Sequence, residues 1–394
     1  MKIVALYHSL LSDWNHGNAH FLRGVVSELL LRGHDVTVYE PRDAWSLQNL
    51  KAEHGEAAVE AFYAAYPTLR NVSVAYDPAS LDLDAALADA DLVLVHEWSD
   101  HGLVHRIGKH RAAGGRYKLL FHDTHHRAVT QPDEMARYDL ADYDGVLAFG
   151  EVLRELYLAN GWTRRAWTWH EAADTRVFRP IAGRPSEGDL VWVGNWGDDE
   201  RTAELHEFLL GPVKALKLKA RIHGVRYPDH AKQSLAEAGI AYAGWLANFA
   251  APEAFAGFKV TVHVPRRPYV KALPGIPTIR VFEALACGIP LVCSPWPDKE
   301  KLFTPGKDYL VATSGEEMKE HLRTLVNDPE AARQLAAHGH RTILSRHTCA
   351  HRVDELMEVV AELDGGGRGS PQSRRGTQRS ASERLSPTMT LVPS

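Results

Sequence analysis

The 394 residues are 45% apolar and 24% charged with a formal net charge of −5, ordinary values for a globular protein long enough to hold two full cores. The slight acidity argues against a nucleic-acid partner, and no apolar run approaches the roughly 20 residues that cross a bilayer, so no transmembrane segment is expected. Three cysteines cannot build a disulfide framework; with no signal-peptide cleavage pattern near the N-terminus, this points to the cytoplasm.

Short apolar runs alternate with helical patterns along the chain, the mark of parallel β-α-β units. In the first half, 2–7, 35–40, 91–96, 117–122 and 145–150 predict buried strands. Between the first two, 18–32 reads as a helix closed by Gly33. A second series follows at 189–194, 218–224, 240–244, 260–264, 289–294 and 309–313. The expected fold class is α/β, with two doubly wound Rossmann-like domains. The polar, Pro-bearing junction gives an N-terminal domain over 1–172, a hinge over 173–188 and a C-terminal domain over 189–345. A last helix over 346–364 is expected to pack back on the first domain. Beyond Asp364 the composition turns to Gly, Ser, Pro and Arg, so 365–394 is expected to be disordered.

The segment LPGIPTIRVFEALACGIPLVCS, 273–294, reads as a tight loop, a short helix bearing Arg280 and Glu283, a stop at Gly288 and a buried strand. A loop that feeds N–H groups into a helix N-terminus makes an anion site. Arg280 lies in the first turn, where a cation opposes the helix dipole, so its negative partner is either a ligand phosphate or Glu283. Strand 189–194 runs into GNWGDDER, where Gly194 and Gly197 allow close backbone approach and Arg201 opens the next helix. Arg266, Arg267 and Lys271 add positive charge just upstream of the 273–278 loop.

The 22 histidines raise a metal site at His122, His125 and His126 with His96 or Asp123. Adjacent side chains on an extended loop diverge, and neither HExxH nor paired Cys/His spacing is present, so no metal is expected. His125 and His126 read instead as polar residues lining a cleft. The long polar loop 8–20 lacks GxGxxG spacing, which disfavours a nicotinamide site.

Two α/β domains in tandem, joined by ADTRVFRP (173–180) and carrying RVFEALACGIPLV (280–292), resemble the GT-B glycosyltransferases. Within that group the chain is most similar to the CgeB-like enzymes and the retaining family 4-type glycosyltransferases. The resemblance covers about 1–360 and rests on Asp174, Phe178, Pro180, Arg280, Glu283, Gly288 and Pro290.

The resemblance implies a nucleotide-diphosphate sugar on the C-terminal domain, an acceptor (sugar, glycan or small molecule) on the N-terminal domain, and no tightly bound cofactor. Glu283 would hold the ribose hydroxyls. The amides of the 274–278 loop, those of Gly275, Ile276 and Thr278 among them, would face the diphosphate together with Lys271. Gly194 and Asn195 would adjoin the donor, and Arg201 and Arg280 would stabilise the departing diphosphate. His122, at the end of its strand, would contact the transferred sugar, with Asp123 orienting it or positioning the acceptor. Trp245 and Leu246 stand as nucleobase contacts. Trp14, Asn15 and His16 stand as acceptor contacts, with Gly17 allowing close approach and Asn18 capping the helix.

There is one departure from the pattern. Many retaining members carry another Glu eight positions before the ribose-binding one; here that position is Gly275. The expected activity is a hexosyl-type transfer with retention and without a bound metal. Two rivals share the fold: a nucleotide-sugar epimerase and a catalytically silent CgeB-like structural protein.

Overall fold

A computed structural model describes residues 1–197 and 199–365. Asp198 and 366–394, which hold nearly all of the expected tail, lie outside the described residues.

The first lobe is a parallel sheet of β1 (Lys2–Leu6), β2 (Asp35–Pro41), β3 (Ser73–Tyr76), β4 (Leu92–His96), β5 (Lys118–Asp123), β6 (Gly145–Ala148) and β7 (Ala166–Thr168), in the order 3-2-1-4-5-6-7. The second holds β8 (Gly188–Val193), β9 (Ala220–His223), β10 (Ala241–Tyr242), β11 (Phe258–His263), β12 (Leu291–Cys293) and β13 (Leu310–Val311), in the order 10-9-8-11-12-13. Leu92–His96 is buried at every position, as a parallel strand covered on both faces requires. β3 and β7 were not expected. Both are edge or near-edge strands whose short sequences, SVAY and AWT, carry no continuous apolar run because much of each stays at the surface.

Strand order reverses between β1 and β4 and again between β8 and β11. Loops leaving the carboxyl ends of strands diverge at such points and open a crevice. Here the two crevices face one another.

The helix Ala19–Leu31 follows β1 and ends at Gly33, whose φ of +80° is the left-handed stop that glycine permits. Asn18 occupies the position before this helix but does not cap it. Its amide instead donates to the carbonyl of Thr124 at 3.0 Å and to its hydroxyl, tying the first loop to the end of β5.

The segment 169–180 joins the lobes through buried contacts. Phe178 stacks on His20 with centroids 3.7 Å apart, and His20 Nε2 accepts the Asp174 N–H at 2.8 Å. The last helix, Cys349–Gly365, lies along Ala19–Leu31. A side chain at Gly24 would sit 2.4 Å from Cys349 Sγ, so glycine is required for that contact. The Trp169 indole donates to the Arg352 carbonyl at 2.8 Å, and Arg32 pairs with Asp354 at 2.6 Å. One apolar cluster runs from Ile3 through Phe178 and Phe282 to Val360 and so spans both lobes. All three cysteines are buried and free. Among the described residues, no helix is long and apolar enough to cross a membrane.

Candidate functional site

Between the lobes lies a cleft of about 510 Å³. Its second-lobe wall is built from the loops after β8, β9, β10 and β11 and from the start of the helix Ile279–Cys287. Arg201, Arg226, Arg266 and Arg280 stand on this wall and Arg127 faces them, whereas Asp13 is the one carboxylate among the described lining residues. Such a surface selects an anion.

Arg201 is 7% exposed, and among the described residues it pairs with no carboxylate. Its guanidinium donates to three backbone carbonyls, those of Asn195, Trp196 and Val264. Burial pulls its pKa down to about 10, so it remains a cation at neutral pH. Three carbonyls orient a buried guanidinium but do not neutralise it. By contrast, Arg266 pairs with Glu200, and Arg280 pairs with Glu283 one turn along its helix.

The N–H groups of Thr278, Ile279 and Arg280 donate to nothing among the described residues, and Thr278 and Arg280 line the cleft. The helix dipole adds its positive end here. The Thr278 hydroxyl is held by His263 Nε2 at 3.0 Å, and burial keeps that imidazole neutral with a pKa of about 3. Gly194 and Asn195 also line the cleft. The Asn195 amide bridges the lobes, accepting from the Val225 N–H at 2.8 Å and donating to the Asn15 side chain. Trp245 and Leu246 stand on the same wall. The Trp245 indole donates to Asp13 at 3.1 Å, and Asp13 also accepts from the Asn248 N–H at 3.1 Å and from Arg23 at 2.8 Å.

Four second-lobe candidates sit elsewhere than expected. The Glu283 side chain has no exposure and does not line the cleft. Its carboxylate faces His20 at 3.0 Å and accepts from Asn248 at 2.8 Å and from Arg280. Burial alone would raise its pKa, but the Arg280 cation and the bonds from His20 and Asn248 outweigh it and hold the group below the usual glutamate range. Gly275 donates its N–H to the Pro297 carbonyl at 2.6 Å and Ile276 donates to Leu273 at 3.3 Å, so neither amide is free for a ligand. The Ile276 side chain plugs into the first lobe, where a Cβ at Gly150 would lie 2.2 Å from it. Lys271 is exposed and lies outside the cleft, at the end of the short helix Arg267–Lys271.

The first-lobe wall consists of imidazoles and indoles: His8, His16, His125, His126, Trp45 and Trp98. Asn15 and His16 line the cleft, as does Gly17, where a Cβ would meet Ile279 at 3.4 Å and Arg280 at 4.0 Å. Trp14 does not: it is 4% exposed, donates to Glu53 at 2.9 Å and packs edge-on against Trp45. His122 and Asp123 lie one layer behind the wall. His122 packs edge-on against Trp169 and His96, with centroids at 4.8 Å and 5.4 Å, and neither ring nitrogen has a hydrogen-bond partner among the described residues. Burial lowers its pKa to about 3. Asp123 accepts from Tyr157 at 2.8 Å and from the His125 N–H at 2.9 Å, with its pKa raised to about 6 by burial. The alternation of β5 turns both side chains into the sheet layers. His125 and His126, past the strand end, reach the cleft instead. Among the described residues, no group of three or more His, Cys, Asp or Glu could hold a metal ion.

Three contributors carry no signal in the sequence: Asp13, His20 and Asn248. Each takes its place from a contact between lobes, across more than two hundred residues, and no local spacing encodes such a meeting.

Residues 201–358 match the family described as glycosyl transferase-like. No curated protein matches the sequence. Among solved structures, an alpha-glucosyltransferase in complex with UDP and a 13-mer DNA containing an HMU base superposes with a TM-score of 0.65 at 11% identity, covering 92% of this chain and 99% of that one. Sucrose-phosphate synthase from Thermosynechococcus elongatus gives 0.62 at 14%, covering 93% and 100%. HepE from Anabaena in complex with UDP and glucose gives 0.62 at 13%, covering 92% and 100%. The first of these corrects the expectation that no nucleic acid is a partner. A protein of this architecture takes DNA, so a net charge of −5 is no ground for excluding one. The chain has the GT-B fold, two parallel α/β lobes facing across a cleft, and its residues 201–358 match the glycosyl transferase-like family.

Proposed function

We propose that this protein is a glycosyltransferase that binds a nucleoside-diphosphate sugar on the second-lobe wall and transfers the sugar to an acceptor at the first-lobe wall. The observation that carries this reading is Arg201, a buried cation on the cleft wall with three carbonyl acceptors and, among the described residues, no carboxylate. A diphosphate supplies the missing charge. Trp245 and Leu246 then serve the nucleobase, while Gly194, Asn195, Thr278 and Arg280 serve the phosphates. Asn15, His16, Gly17, His125 and His126 serve the acceptor.

As the bond from the anomeric carbon to the diphosphate oxygen breaks, charge grows on that oxygen. Arg201, Arg280 and the free N–H groups at 278–280 meet it already oriented, an effect worth about 3–4 kcal/mol per donor in favourable cases. The acceptor oxygen bonds to the anomeric carbon, and its proton passes to the departing diphosphate on the same face, which retains configuration. Asp13, the carboxylate among the described lining residues, has its oxygens engaged by Arg23, Trp245 and Asn248, so a carboxylate nucleophile is not part of this reading. The arginines carry the positive charge, and the reading needs no bound metal. The transferred unit is a hexose, and the three buried free thiols fit a reducing cytoplasm.

The test is a thermal-shift screen with UDP-glucose, GDP-mannose, ADP-glucose and dTDP-glucose, followed by product analysis with candidate acceptors. One donor should raise Tm by several degrees, as selective binding to the folded state requires. Silence from all four would sink the reading.

A further inference from the structure

Between the arginines of one wall and the histidines of the other stands Tyr269, the one tyrosine among the described residues that line the cleft. It rides on the short helix Arg267–Lys271 of the second lobe, where Pro268 fixes the backbone and the Tyr269 N–H donates to the Arg266 carbonyl at 3.0 Å. Its ring crosses to the first lobe. There it stands nearly perpendicular to His126 and Phe149, at 86° and 88°, with centroids 5.5 Å and 6.3 Å away. The chain just downstream is pinned on the same side. Leu273 and Ile276 are buried in the first-lobe core. Glu300, which a Cβ on Gly275 would meet at 3.0 Å, accepts from the Glu151 N–H at 2.9 Å and is held by His170 Nε2 at 2.6 Å. Both lobes therefore fix where the ring sits.

The Tyr269 hydroxyl makes no hydrogen bond among the described residues. Elsewhere in the chain such a group finds a carbonyl, as Tyr143 does with Val104 at 3.0 Å and Tyr227 does with Gly194 at 2.8 Å. Tyr7 and Tyr66 also go unbonded, but their oxygens are sealed in the core. That of Tyr269 is not sealed, and its residue is half-buried on the cleft wall. A phenol held in place by two lobes, with its polar end unused, is fitted to a ligand rather than to the fold.

Resting on the donor reading above, we propose that the Tyr269 hydroxyl holds a hydroxyl of the transferred sugar and so sets which sugars the protein accepts. In that reading the diphosphate sits with Arg201 and Arg280, and the acceptor sits with His125 and His126. The anomeric carbon is bonded to the first and attacked by the second, so the sugar lies between them. Tyr269 spans the same interval, three residues past Arg266 and with its ring against His126. A phenol donates one hydrogen bond and accepts another, as a sugar hydroxyl does. Burial raises the Tyr269 pKa above the ordinary tyrosine value, so the phenol keeps its proton through the physiological range. A site built to bond a hydroxyl rejects an analogue that lacks it.

The test compares Tyr269→Phe with wild type by calorimetry, using UDP and UDP-glucose, GDP and GDP-mannose, ADP and ADP-glucose, and dTDP and dTDP-glucose. Phenylalanine keeps the ring against His126 and Phe149 and removes only the oxygen. For the pair that wild type binds best, the variant should keep its affinity for the bare diphosphate within about twofold. It should lose about five- to tenfold for the sugar conjugate, the worth of one hydrogen bond. Its Tm should stay within about 2 °C of wild type, since the lost hydroxyl bonds to none of the described residues. An equal fall in both affinities means that the phenol serves the diphosphate or the shape of the cleft, and overturns the assignment. An unchanged affinity for the sugar conjugate overturns it too, and leaves the donor reading standing. If wild type binds none of the pairs, the donor reading fails and the Tyr269 assignment falls with it.

Discussion

The two walls of the cleft are made differently. The second-lobe wall presents guanidinium groups and free N–H groups, and its main cation, Arg201, is held by carbonyls of its own loop and of the loop after β11. The first-lobe wall presents imidazoles and indoles, packed edge to edge, with Trp98 resting on Arg127 at 4.5 Å. One wall is organised by backbone geometry and a permanent charge. The other is organised by side-chain packing among indoles and imidazoles, of which burial keeps His8, His16 and His125 neutral. Two of the three carbonyls that hold this charge lie within six residues of Arg201, so most of the hold follows from local sequence, whereas the exposure of one histidine among several follows from which way each residue turns at a strand end.

The largest effect should come from Glu283→Ala, which strikes the seam between the walls. It strands Arg280 and leaves His20 and Asn248 without their acceptor. Breaking a buried pair by removing one partner costs about 3–5 kcal/mol, so urea unfolding should show a fall of that order. The pH sign follows from the lowered pKa: the contribution is full above the ordinary glutamate value and is lost as pH falls through the folded one. If stability holds and only nucleotide affinity drops, Glu283 faces the ribose rather than the seam.

Arg201→Met comes next and acts on the second wall alone. Removing one preorganised donor costs about 100- to 1,000-fold in turnover, and affinity should fall for the nucleoside diphosphate but not for the bare nucleoside. Equal loss for both would move Arg201 from the phosphate end of the site to a structural part.

That contrast also marks what was legible in the chain. All six strands of the second sheet were expected, and so were Arg201, Arg280, Gly194, Asn195 and Thr278 as neighbours, because loop, helix start and glycine are contiguous there. On the first lobe the end of β5 is legible, but which side chains reach the cleft is decided by the strand geometry that buries His122 and Asp123 while releasing His125 and His126. Trp14 reads as a cleft residue by its loop, yet Glu53 draws its indole away. The use of Gly275 was out of reach, since it depends on Glu300 arriving from another loop.

Gly275→Ala sharpens this point with a smaller effect. Its φ of +105° is one that a side chain rarely adopts, and the new Cβ would press on Glu300 at 3.0 Å. Strain of this kind costs about 1–3 kcal/mol, and it should loosen the tie from Glu300 to Glu151 and His170, read as a lower Tm. A neutral result would mean that the tie can shift without cost and that 275 is not a meeting point of the lobes.

His122→Leu should have the smallest effect at neutral pH and is the most telling for the first wall. The imidazole is neutral in the folded protein down to about pH 3, whereas an unfolded histidine binds a proton below about 6.5. The unfolded state therefore holds more protons through that window. Stability tied to the neutral ring is complete above pH 6.5 and is lost as pH falls, by about 1.4 kcal/mol per unit for each such group. His263 adds the same on the opposite wall, and His16, His96 and His125 are shifted in the same direction. Leucine removes one group from this sum, so urea midpoints at pH 7.5 and 5.5 should lie closer together in the variant by about one histidine's share. Donor turnover should stay within about threefold of wild type, because a ring behind the wall does not touch the sugar. An unchanged pH slope with a collapse in turnover would instead bring His122 into the cleft and make the first wall, like the second, a place where a named side chain meets the ligand.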